Sequence, residues 1–312
     1  MNEEYIVTRI NPTHFKDLQY ISKAAFGISV PENYFEHKWN TAFTGVQNIG
    51  YIAHSMQGEP AGYYGVFPCF VEYNGKKYLA AQSGDTMTHP KHTGKGLFTS
   101  LAKKTYELAA LEGIEFVFGF PNDNSYPGFV KKLNWIHKEN MVEYFIPIKT
   151  IPFAGLVKKF RFLYPLFKFY LNSIFSFYKS KLSFLKNSVI EPDVIGIHKD
   201  ESFFKYKSFQ NNYLLNIKGL DIWLKSDGYL LVGDVSKFKD TDISLFIKSL
   251  KQLAFWTGHP KIRFSVSKGT WLDLLLENKF TKSEGAYIGY VNFNSSLPLE
   301  RMKFTLSDFD TF

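Results

Sequence analysis

Two glycines and two lysines lie close together in the segment THPKHTGKGLF, which runs from Thr88 to Phe98. A strand pattern precedes this segment, and an apolar helical pattern from Leu97 to Glu112 follows it. The first N–H groups of a helix have no partner within the helix and lie at the positive end of its dipole, so they can bind phosphate. Gly94 and Gly96 let the backbone turn tightly and approach a ligand. The pattern therefore predicts a turn that binds a phosphate or pyrophosphate.

The segment resembles the pyrophosphate loop of GNAT-type acetyltransferases. The usual loop of that family has Gln or Arg first, glycine fourth and glycine or alanine sixth, and it joins the fourth strand to the following helix. The six positions here are Lys91, His92, Thr93, Gly94, Lys95 and Gly96. Both glycines match, and Lys91 keeps the charge of an arginine without its planar fork.

A second segment, VKKLNW from Val130 to Trp135, is similar to the family's Y-E-K-L-G-F segment and follows at the expected distance. The resemblance covers about Tyr5 to Ile148. It implies that acetyl-CoA or another acyl-CoA is the cosubstrate. Pantetheine would lie along the backbone of Met87 and Thr88, and pyrophosphate would take N–H groups from the loop and helix. The implied cofactor-binding residues are Met87, Thr88, Lys91, His92, Thr93, Gly94, Lys95, Gly96 and Leu97.

Acyl transfer to an amine needs the nucleophile close to the thioester, a base for the ammonium proton and an acid for the departing thiolate. Asp85 is the candidate base, because it lies in a strand of mostly uncharged residues near the implied thioester contact. Strand alternation places Asp85, Met87 and His89 on one face. A structural role is the alternative, because Asp234 follows a glycine in the same way in the second half of the chain.

The habitual acid of the family is a tyrosine five positions before the closing aromatic of the second segment, and that position is Val130 here. Tyr126 lies one helical turn earlier and is therefore the candidate acid. Pro127 leaves open the alternative that Tyr126 is a packed or turn residue. No metal is expected, and the single cysteine, Cys69, excludes a cysteine-based zinc cluster.

The length of 312 residues suits two domains. SGDT (Ser83–Thr86) opens one block of strand and helix patterns, and VGDV (Val232–Val235) opens another, which indicates a degenerate internal duplication. Two unrelated α/β segments are the alternative. The second block has SKFKDTD in place of the glycine loop, so one cofactor site is expected.

The expected fold class is α/β (α+β), with tandem GNAT-like mixed sheets flanked by helices and joined by a helical connector. The expected parts are a GNAT domain with the cofactor site at 1–150, a basic aromatic helical connector at 151–190 and a degenerate GNAT-like domain at 191–312.

Residues 144–190 hold eight Lys and Arg and neither Asp nor Glu, which accounts for the whole net charge of +8. A diffuse nucleic-acid-binding surface is therefore not expected. Apolar residues recur every three or four positions over 153–186 and predict a helical pair interrupted near Pro165. Such a segment fits peripheral contact with an anionic membrane. A helical hairpin packed on its own domains or in a homodimer is the alternative.

The sequence thus predicts an N-acyltransferase that moves an acetyl or other acyl group from CoA to the primary amine of a small molecule. An amino sugar in surface-polysaccharide synthesis is the suggested acceptor. The alternatives are a Fem-type aminoacyl or peptidyl transferase and a non-catalytic membrane-surface protein that retains the GNAT fold. An acidic N-terminus without an apolar core, and no uncharged apolar run of ~20 residues, favour a cytoplasmic protein, membrane-associated if the connector binds lipid.

Overall fold

A computed structural model describes residues 4–31 and 33–312 of the chain. The strands within these ranges are β1 (Tyr5–Arg9), β2 (Ile49–Ser55), β3 (Pro60–Tyr73), β4 (Lys76–Thr88), β5 (Phe116–Gly119), β6 (Ile136–Pro147), β7 (Gly196–Ile197), β8 (Asn212–Ile217), β9 (Leu220–Asp227), β10 (Tyr229–Val235), β11 (Lys261–Val266) and β12 (Lys282–Asn292). The helices are α1 (Phe15–Phe26), α2 (Tyr34–Trp39), α3 (Leu97–Leu111), α4 (Tyr126–Leu133), α5 (Phe153–Lys159), α6 (Tyr164–Ser176), α7 (Glu201–Lys207), α8 (Ile243–Trp256) and α9 (Trp271–Glu277).

The described chain divides into two compact units. Unit 1 contains the residues up to Glu139 together with Tyr287–Glu300, and unit 2 contains Asn140–Ala286 and Arg301–Phe312. Each unit is built on a mixed sheet flanked by helices, which confirms the predicted fold class.

The sheet of unit 1 has the strand order β1-β2-β3-β4-β5-β12, and its neighbours are antiparallel except for the parallel pair β4 and β5. Successive strand residues face opposite sides of the sheet. One side packs against α1 and α2 through a core that includes Leu18, Trp39 and Tyr63. The other side packs against α3 and α4 through a core that includes Tyr64 and Leu101.

The sheet of unit 2 has the order β6-β11-β10-β9-β8, and its one parallel pair is β10 with β11. Helices α5, α6, α8 and α9 supply the buried apolar side chains on one of its faces. On α7, the ring of Phe204 stacks on Trp223 of β9, with ring centroids 3.8 Å apart.

Strand β10 thus repeats the pairing of β4, since each has an antiparallel neighbour on one side and a parallel neighbour on the other. In each unit, the parallel neighbour pairs on its other side with an antiparallel strand, and that strand comes from the opposite half of the sequence. In unit 1, β12 pairs with β5 through Gly289–Asn292, and in unit 2, β6 pairs with β11 through Val142–Pro147. The last strand of each unit's sheet therefore comes from the other half of the sequence.

The segment 153–186 is helical only as far as Ser176, so the helix expected through Lys186 is wrong for its last part. The helical pair is interrupted at residues 160–163, and Pro165 lies in the first turn of α6, where its missing N–H costs nothing. Beyond α6 the backbone bonds to β8 instead of continuing the helix. Ser180 donates its N–H to the carbonyl of Leu214 at 3.1 Å, and the N–H of Asn216 bonds back to the carbonyl of Tyr178 at 2.6 Å.

Candidate functional site

Strands β4 and β5 separate before β4 ends. Their parallel pairing runs from Ala81 opposite Val117 to Ser83 opposite Gly119, where β5 stops. β4 continues to Thr88 and stays paired with β3 over its last residues. In the part of the chain that the structure describes, the β5-facing edge of these last residues has no strand partner. Backbone N–H and C=O groups along that edge are therefore available to an extended ligand.

A bulge in β4 coincides with this separation. The register with β3 shifts between Tyr63 and Gly65, and Asp85 has the left-handed φ of 51°. Ser83, before the bulge, bonds to the Tyr64 hydroxyl on the α3 side, whereas Met87, after it, packs on the α1 and α2 side. The extra residue changes which face the strand presents.

The Asp85 carboxylate lies 2.5 Å from the ammonium of Lys38 on α2. This contact shows that Asp85 faces the same side of the sheet as Met87. His89 is on that side too, since its ring stacks on Tyr20 of α1 at 5.5 Å. The predicted shared face of Asp85, Met87 and His89 is confirmed.

Lys38 was missed by sequence reasoning. Its side chain is completely buried, while that of Asp85 is 21% exposed. The ammonium also lies 3.3 Å from the Tyr34 hydroxyl and 4.8 Å from the centre of the Phe67 ring. A buried lysine requires a countercharge. The available signal was a lysine beside Trp39 at an otherwise core-facing position of a helix.

Unit 2 repeats this arrangement. The register of β10 with β9 shifts between Val232 and Asp234, and the Lys199 ammonium lies 2.6 Å from the Asp234 carboxylate and 2.9 Å from that of Asp308. All three side chains are fully buried. Burial opposes the charge on Lys199, but Asp234 and Asp308 raise its pKa above the usual value, whereas burial raises the pKa of Asp308. The Gly-Asp pair therefore marks a bulge with a buried lysine in both halves, which supports the structural alternative for Asp85.

A chain of hydroxyl groups connects the β4 bulge to α3. The Tyr64 hydroxyl lies 2.9 Å from that of Ser83 and 2.7 Å from that of Tyr106, and Trp135 donates its indole N–H to Tyr106 at 2.8 Å. Burial raises the pKa of both tyrosines, so these hydroxyls stay neutral. Trp135, the closing aromatic of the predicted second segment, thus helps to fix the region around the bulge.

The glycine turn leads directly into α3. Gly94 and Gly96 have left-handed φ values of 77° and 79°, and a Cβ built on either would meet nothing within 4 Å. Gly96 is the N-cap of α3, no side chain caps the helix, and its first turn has no acidic residue. The first intrahelical bond runs from the Ser100 N–H to the Gly96 carbonyl. The first N–H groups of α3 therefore have no side-chain cap and lie at the positive end of the helix dipole.

Three side chains fix this turn to the rest of unit 1. Leu97 is buried, and Gly62 of β3 makes room for it, since a Cβ there would lie 3.3 Å from the Leu97 methyl. The buried imidazole of His92 bonds to the Tyr5 hydroxyl at 3.0 Å, so a ligand in the turn would meet His92 through its backbone. Thr93 donates its hydroxyl to the Pro90 carbonyl.

Lys91 extends away from the helix N-terminus toward Glu59, with 3.4 Å between ammonium and carboxylate. Tyr20 donates a hydrogen bond to the same carboxylate, and this bond together with Lys91 lowers the pKa of Glu59. Donor atoms of Glu59, His89 and His92 lie within 4.8 Å of one another, so these three could together ligate a cation. Lys91 contacts the same carboxylate, so a cation at this place would compete with the Lys91 ammonium for Glu59.

Tyr126 lies in the first turn of α4, and Pro127 is accommodated there, so the helix through Tyr126 is confirmed. Its ring stacks on Tyr287 of β12 with centroids 4.1 Å apart and meets His137 edge-on at 5.5 Å. A Cβ on Gly128 would lie 3.1 Å from the ring of Phe98, so the starts of α3 and α4 adjoin. Tyr126 is thus held near the helix end that could bind an anion.

The corresponding part of unit 2 has no such turn. Asp240 and Asp242 precede α8, and Asp242 is its N-cap residue, so negative charge lies where a phosphate would bind. Beside the bulge, the Phe312 ring occupies the space next to Gly233, where a Cβ would come within 2.2 Å of the ring. This arrangement is suited to packing and would hold a pyrophosphate poorly.

Among solved structures, the chain is similar to a GCN5-related N-acetyltransferase from Kribbella flavida, with 12% identity, a TM-score of 0.56 and coverage of 92% of this chain and 71% of that one. It is also similar to a GCN5-related N-acetyltransferase from Anabaena variabilis, with 13% identity and a TM-score of 0.54, over 92% of this chain and 72% of that one. A third similar structure is the N-myristoyltransferase of Saccharomyces cerevisiae, solved with bound myristoyl-CoA. Its identity is 9% and its TM-score 0.54, over 92% of this chain and 82% of that one. At these identities the likeness concerns the fold alone.

No curated protein sequence matched the chain. Residues 7–137 match the family model of the acetyltransferase (GNAT) domain. This range includes the bulged strand, the glycine turn and the start of α4. The sequence match identifies a GNAT domain at residues 7–137, and the solved acetyltransferases share the fold over most of the chain.

Proposed function

We propose that unit 1 binds an acyl-CoA and transfers its acyl group to a primary amine. One observation carries the proposal: β4 leaves β5 at Ser83, and its open edge leads through the Gly94 and Gly96 turn to the uncapped start of α3. A strand edge can pair with the amides of pantetheine, and a helix start can bind pyrophosphate. Both features occur in the right order on one continuous segment.

The cofactor would use mainly the backbone of this segment. Met87 and Thr88 would pair with the pantetheine arm, and N–H groups from Thr93 to Leu97 would hold the pyrophosphate. Lys95 would add positive charge at the rim, whereas the charge of Lys91 is paired with Glu59. The yeast N-myristoyltransferase, which shares the fold, was solved with a fatty acyl-CoA, so we leave the length of the acyl chain open.

In the reaction, the amine nitrogen attacks the thioester carbonyl carbon, a C–N bond forms and the C–S bond breaks. The ammonium proton must leave before attack, and the CoA thiolate must take up a proton as it departs. We assign the second role to Tyr126. Its aromatic packing fixes its position, which is what an acid catalyst requires.

Asp85 remains the candidate base, but its carboxylate is engaged with Lys38. Removal of a proton from the substrate would leave Asp85 neutral beside a buried lysine, which is costly. The arrangement favours a role in which Asp85 holds the bulge that opens the edge of β4.

For the acceptor we propose the amine of an amino sugar, in a reaction of surface-polysaccharide synthesis. The support is the resemblance to GNAT enzymes that carry a second block, which is an argument by analogy. A Fem-type aminoacyl transfer is the alternative within the same fold. A panel of amino sugars and simple amines with acetyl-CoA, assayed by release of free CoA thiol, tests the first reaction. A parallel assay of product formation from aminoacyl donors, which release no CoA, tests the second.

Thermal unfolding with and without acetyl-CoA tests the proposal. A ligand that binds only the native state at about one hundred times its Kd stabilises by about 2.7 kcal/mol, which raises Tm by roughly 5 °C. ATP is the control, since it has the phosphates without the pantetheine arm. No shift with acetyl-CoA or myristoyl-CoA would overturn the proposal, and an equal shift with ATP would reduce it to anion binding.

A further inference from the structure

Unit 2 has an unusual number of large apolar side chains in solvent, and most of them come from one stretch. Between residues 151 and 178, the most exposed are Ile151, Phe162, Leu166, Phe169 and Phe177, at 63% to 86% of full exposure. Single exposed apolar residues are normal, but a concentration of them along one short stretch indicates a binding surface.

Helix α6 is apolar on two opposite faces. Phe167, Leu171 and Phe175 follow one another at intervals of four and are buried in the core of unit 2. Leu166 and Phe169 lie roughly 140° to 160° around the helix axis from the middle of that row and are 71% and 72% exposed. Amphipathic helices of globular proteins keep polar residues on the solvent side. The outer side of α6 instead exposes large apolar side chains next to Ser173 and Ser176.

The same stretch is strongly basic. Residues 145–190 contain no Asp or Glu, and Lys159, Lys179, Lys181 and Lys186 are all exposed. The Lys159 ammonium lies over the ring of Phe160 at 5.6 Å. Lys158 is offset by an ion pair with Asp227 at 3.1 Å. Exposed apolar rings with lysines around them suit a binding partner that has an apolar interior beneath a negatively charged surface.

The end of α8 extends this surface. The Tyr170 hydroxyl donates to the Trp256 carbonyl at 2.6 Å, which holds the α8 terminus against α6, and Trp256 is 63% exposed. Phe255 and Trp256 also line a pocket of about 740 Å³ together with Lys149, Lys248 and Lys251. Tryptophan and lysine at the edge of an apolar face are the residues that favour the headgroup region of a bilayer.

We propose that this surface, formed by α5, α6 and the end of α8, docks on an anionic lipid bilayer. The side chains of Phe162, Leu166 and Phe169 enter the boundary between headgroups and acyl chains, and the lysines contact lipid phosphates. No helix in the described residues is long and apolar enough to cross a membrane, so the contact lies in the plane of the interface.

Charge decides between a bilayer and a second copy of this chain. A symmetric dimer through this surface would place the same patch on both sides of the contact. Its lysines would then face lysines without a carboxylate from the stretch to neutralise them. An anionic leaflet supplies the opposite charge.

The test is flotation of the full chain with vesicles of phosphatidylcholine alone and of phosphatidylcholine mixed with phosphatidylglycerol. We expect binding to the mixed vesicles, at least tenfold weaker binding to the neutral ones, and loss of binding in high salt. The double variant Leu166→Ser and Phe169→Ser should weaken binding by about tenfold or more. Lys159→Gln with Lys251→Gln should weaken it several-fold, only on the anionic vesicles, since Lys251 lies beside Trp256.

Two variants serve as matched controls. Leu111→Ser removes an 87% exposed leucine at the end of α3, and Lys16→Gln with Lys23→Gln removes two exposed charges from α1. Both should bind like the unchanged protein. Absence of binding to either vesicle type would overturn the proposal. A dimer in solution that the Leu166→Ser and Phe169→Ser variant dissociates would also overturn it, since a second copy would then cover the surface.

Discussion

The ammonium of Lys38 lies 2.5 Å from the carboxylate of Asp85, and this pair joins a helix near the N-terminus to the bulge of β4. The bulge lies where β4 and β5 have separated. Asp85 therefore connects the stability of unit 1 to the shape of its open strand edge. Catalysis and structure predict different outcomes when the pair is broken.

Lys38→Met should destabilise the protein by about 3 kcal/mol, because it leaves the Asp85 carboxylate without its countercharge in a mostly buried position. Chemical denaturation would measure this loss. Adding Asp85→Asn to Lys38→Met should recover most of it, since neither partner is then charged. Activity of the double variant separates the roles: a structural Asp85 gives activity that returns with stability, and a catalytic base gives a stable, inactive protein.

Gly96→Ala should lower the affinity for acetyl-CoA by about tenfold, because an alanine at a φ of 79° costs about 1 kcal/mol and moves the backbone away from the pyrophosphate. Calorimetric titration measures the affinity. Gly75→Ala is the matched control, since Gly75 has a φ of 76° and equally open surroundings in a distant turn. It should lose similar stability and keep its affinity. Equal affinities for the two variants would contradict the assignment of the loop.

Tyr126→Phe should reduce kcat by about a hundredfold, because an acid catalyst contributes at least that factor. Its ring packing on Tyr287 is unchanged by the substitution, so acetyl-CoA affinity and Tm should stay the same. Tyr287→Phe removes the neighbouring hydroxyl and serves as control. A Tyr126→Phe enzyme with full kcat would show that the tyrosine only packs.

Titration should show one acetyl-CoA per chain. The start of α3 is free of acidic residues, whereas Asp240 and Asp242 precede α8 in unit 2. Carboxylates at a helix N-terminus compete with phosphate for its positive end. A measured stoichiometry of two would contradict this expectation.

His259 should make the protein less stable in mild acid. Burial lowers the pKa of His259 to about 4, and its nitrogens bond to Ser226 and Thr257 hydroxyls. Between pH 6.5 and 4, His259 is protonated in the unfolded chain and neutral in the native state. The free energy of unfolding therefore falls by roughly 3 kcal/mol in total as the pH is lowered through this range. Above pH 6.5 the group is neutral in both states and has no effect.

Denaturation curves at pH 7 and pH 5 measure this term, and His259→Gln is the comparison, because glutamine can bond to both hydroxyls without titrating. The variant should lose less stability between the two pH values than the unchanged protein. Identical losses would assign the acid sensitivity to other groups.

Features that depend on neighbouring residues in the chain could be predicted from the sequence. The Leu97–Glu112 pattern is an amphipathic helix whose period is visible in the sequence, and the structure has it at Leu97–Leu111. Gly94 and Gly96 adopt the left-handed backbone that only glycine enters at low cost. The shared face of Asp85 and Met87 followed from strand alternation, although the bulge behind it was not foreseen.

Sequence reasoning failed where two distant segments must meet. Nothing near Lys38 indicates which carboxylate neutralises it, since Asp85 belongs to another element. The helix expected through Lys186 ended at Ser176 because β8 offered hydrogen bonds to the following backbone, a competition that helical periodicity does not contain.

The sequence by itself determined the order of elements, the glycine turn before α3, the duplicated Gly-Asp blocks and the concentration of positive charge between residues 144 and 190. Tertiary structure decided which strand closes each unit. Strands β6 and β12 each pair antiparallel with a strand that has a parallel neighbour on its other side. The local sequence of either strand therefore fits the edge position in both sheets, and only the packing of the whole sheet determines which position it takes. It also decided which apolar face of α6 is buried and which is left to solvent, because periodicity fixes the faces of a helix and not what covers them.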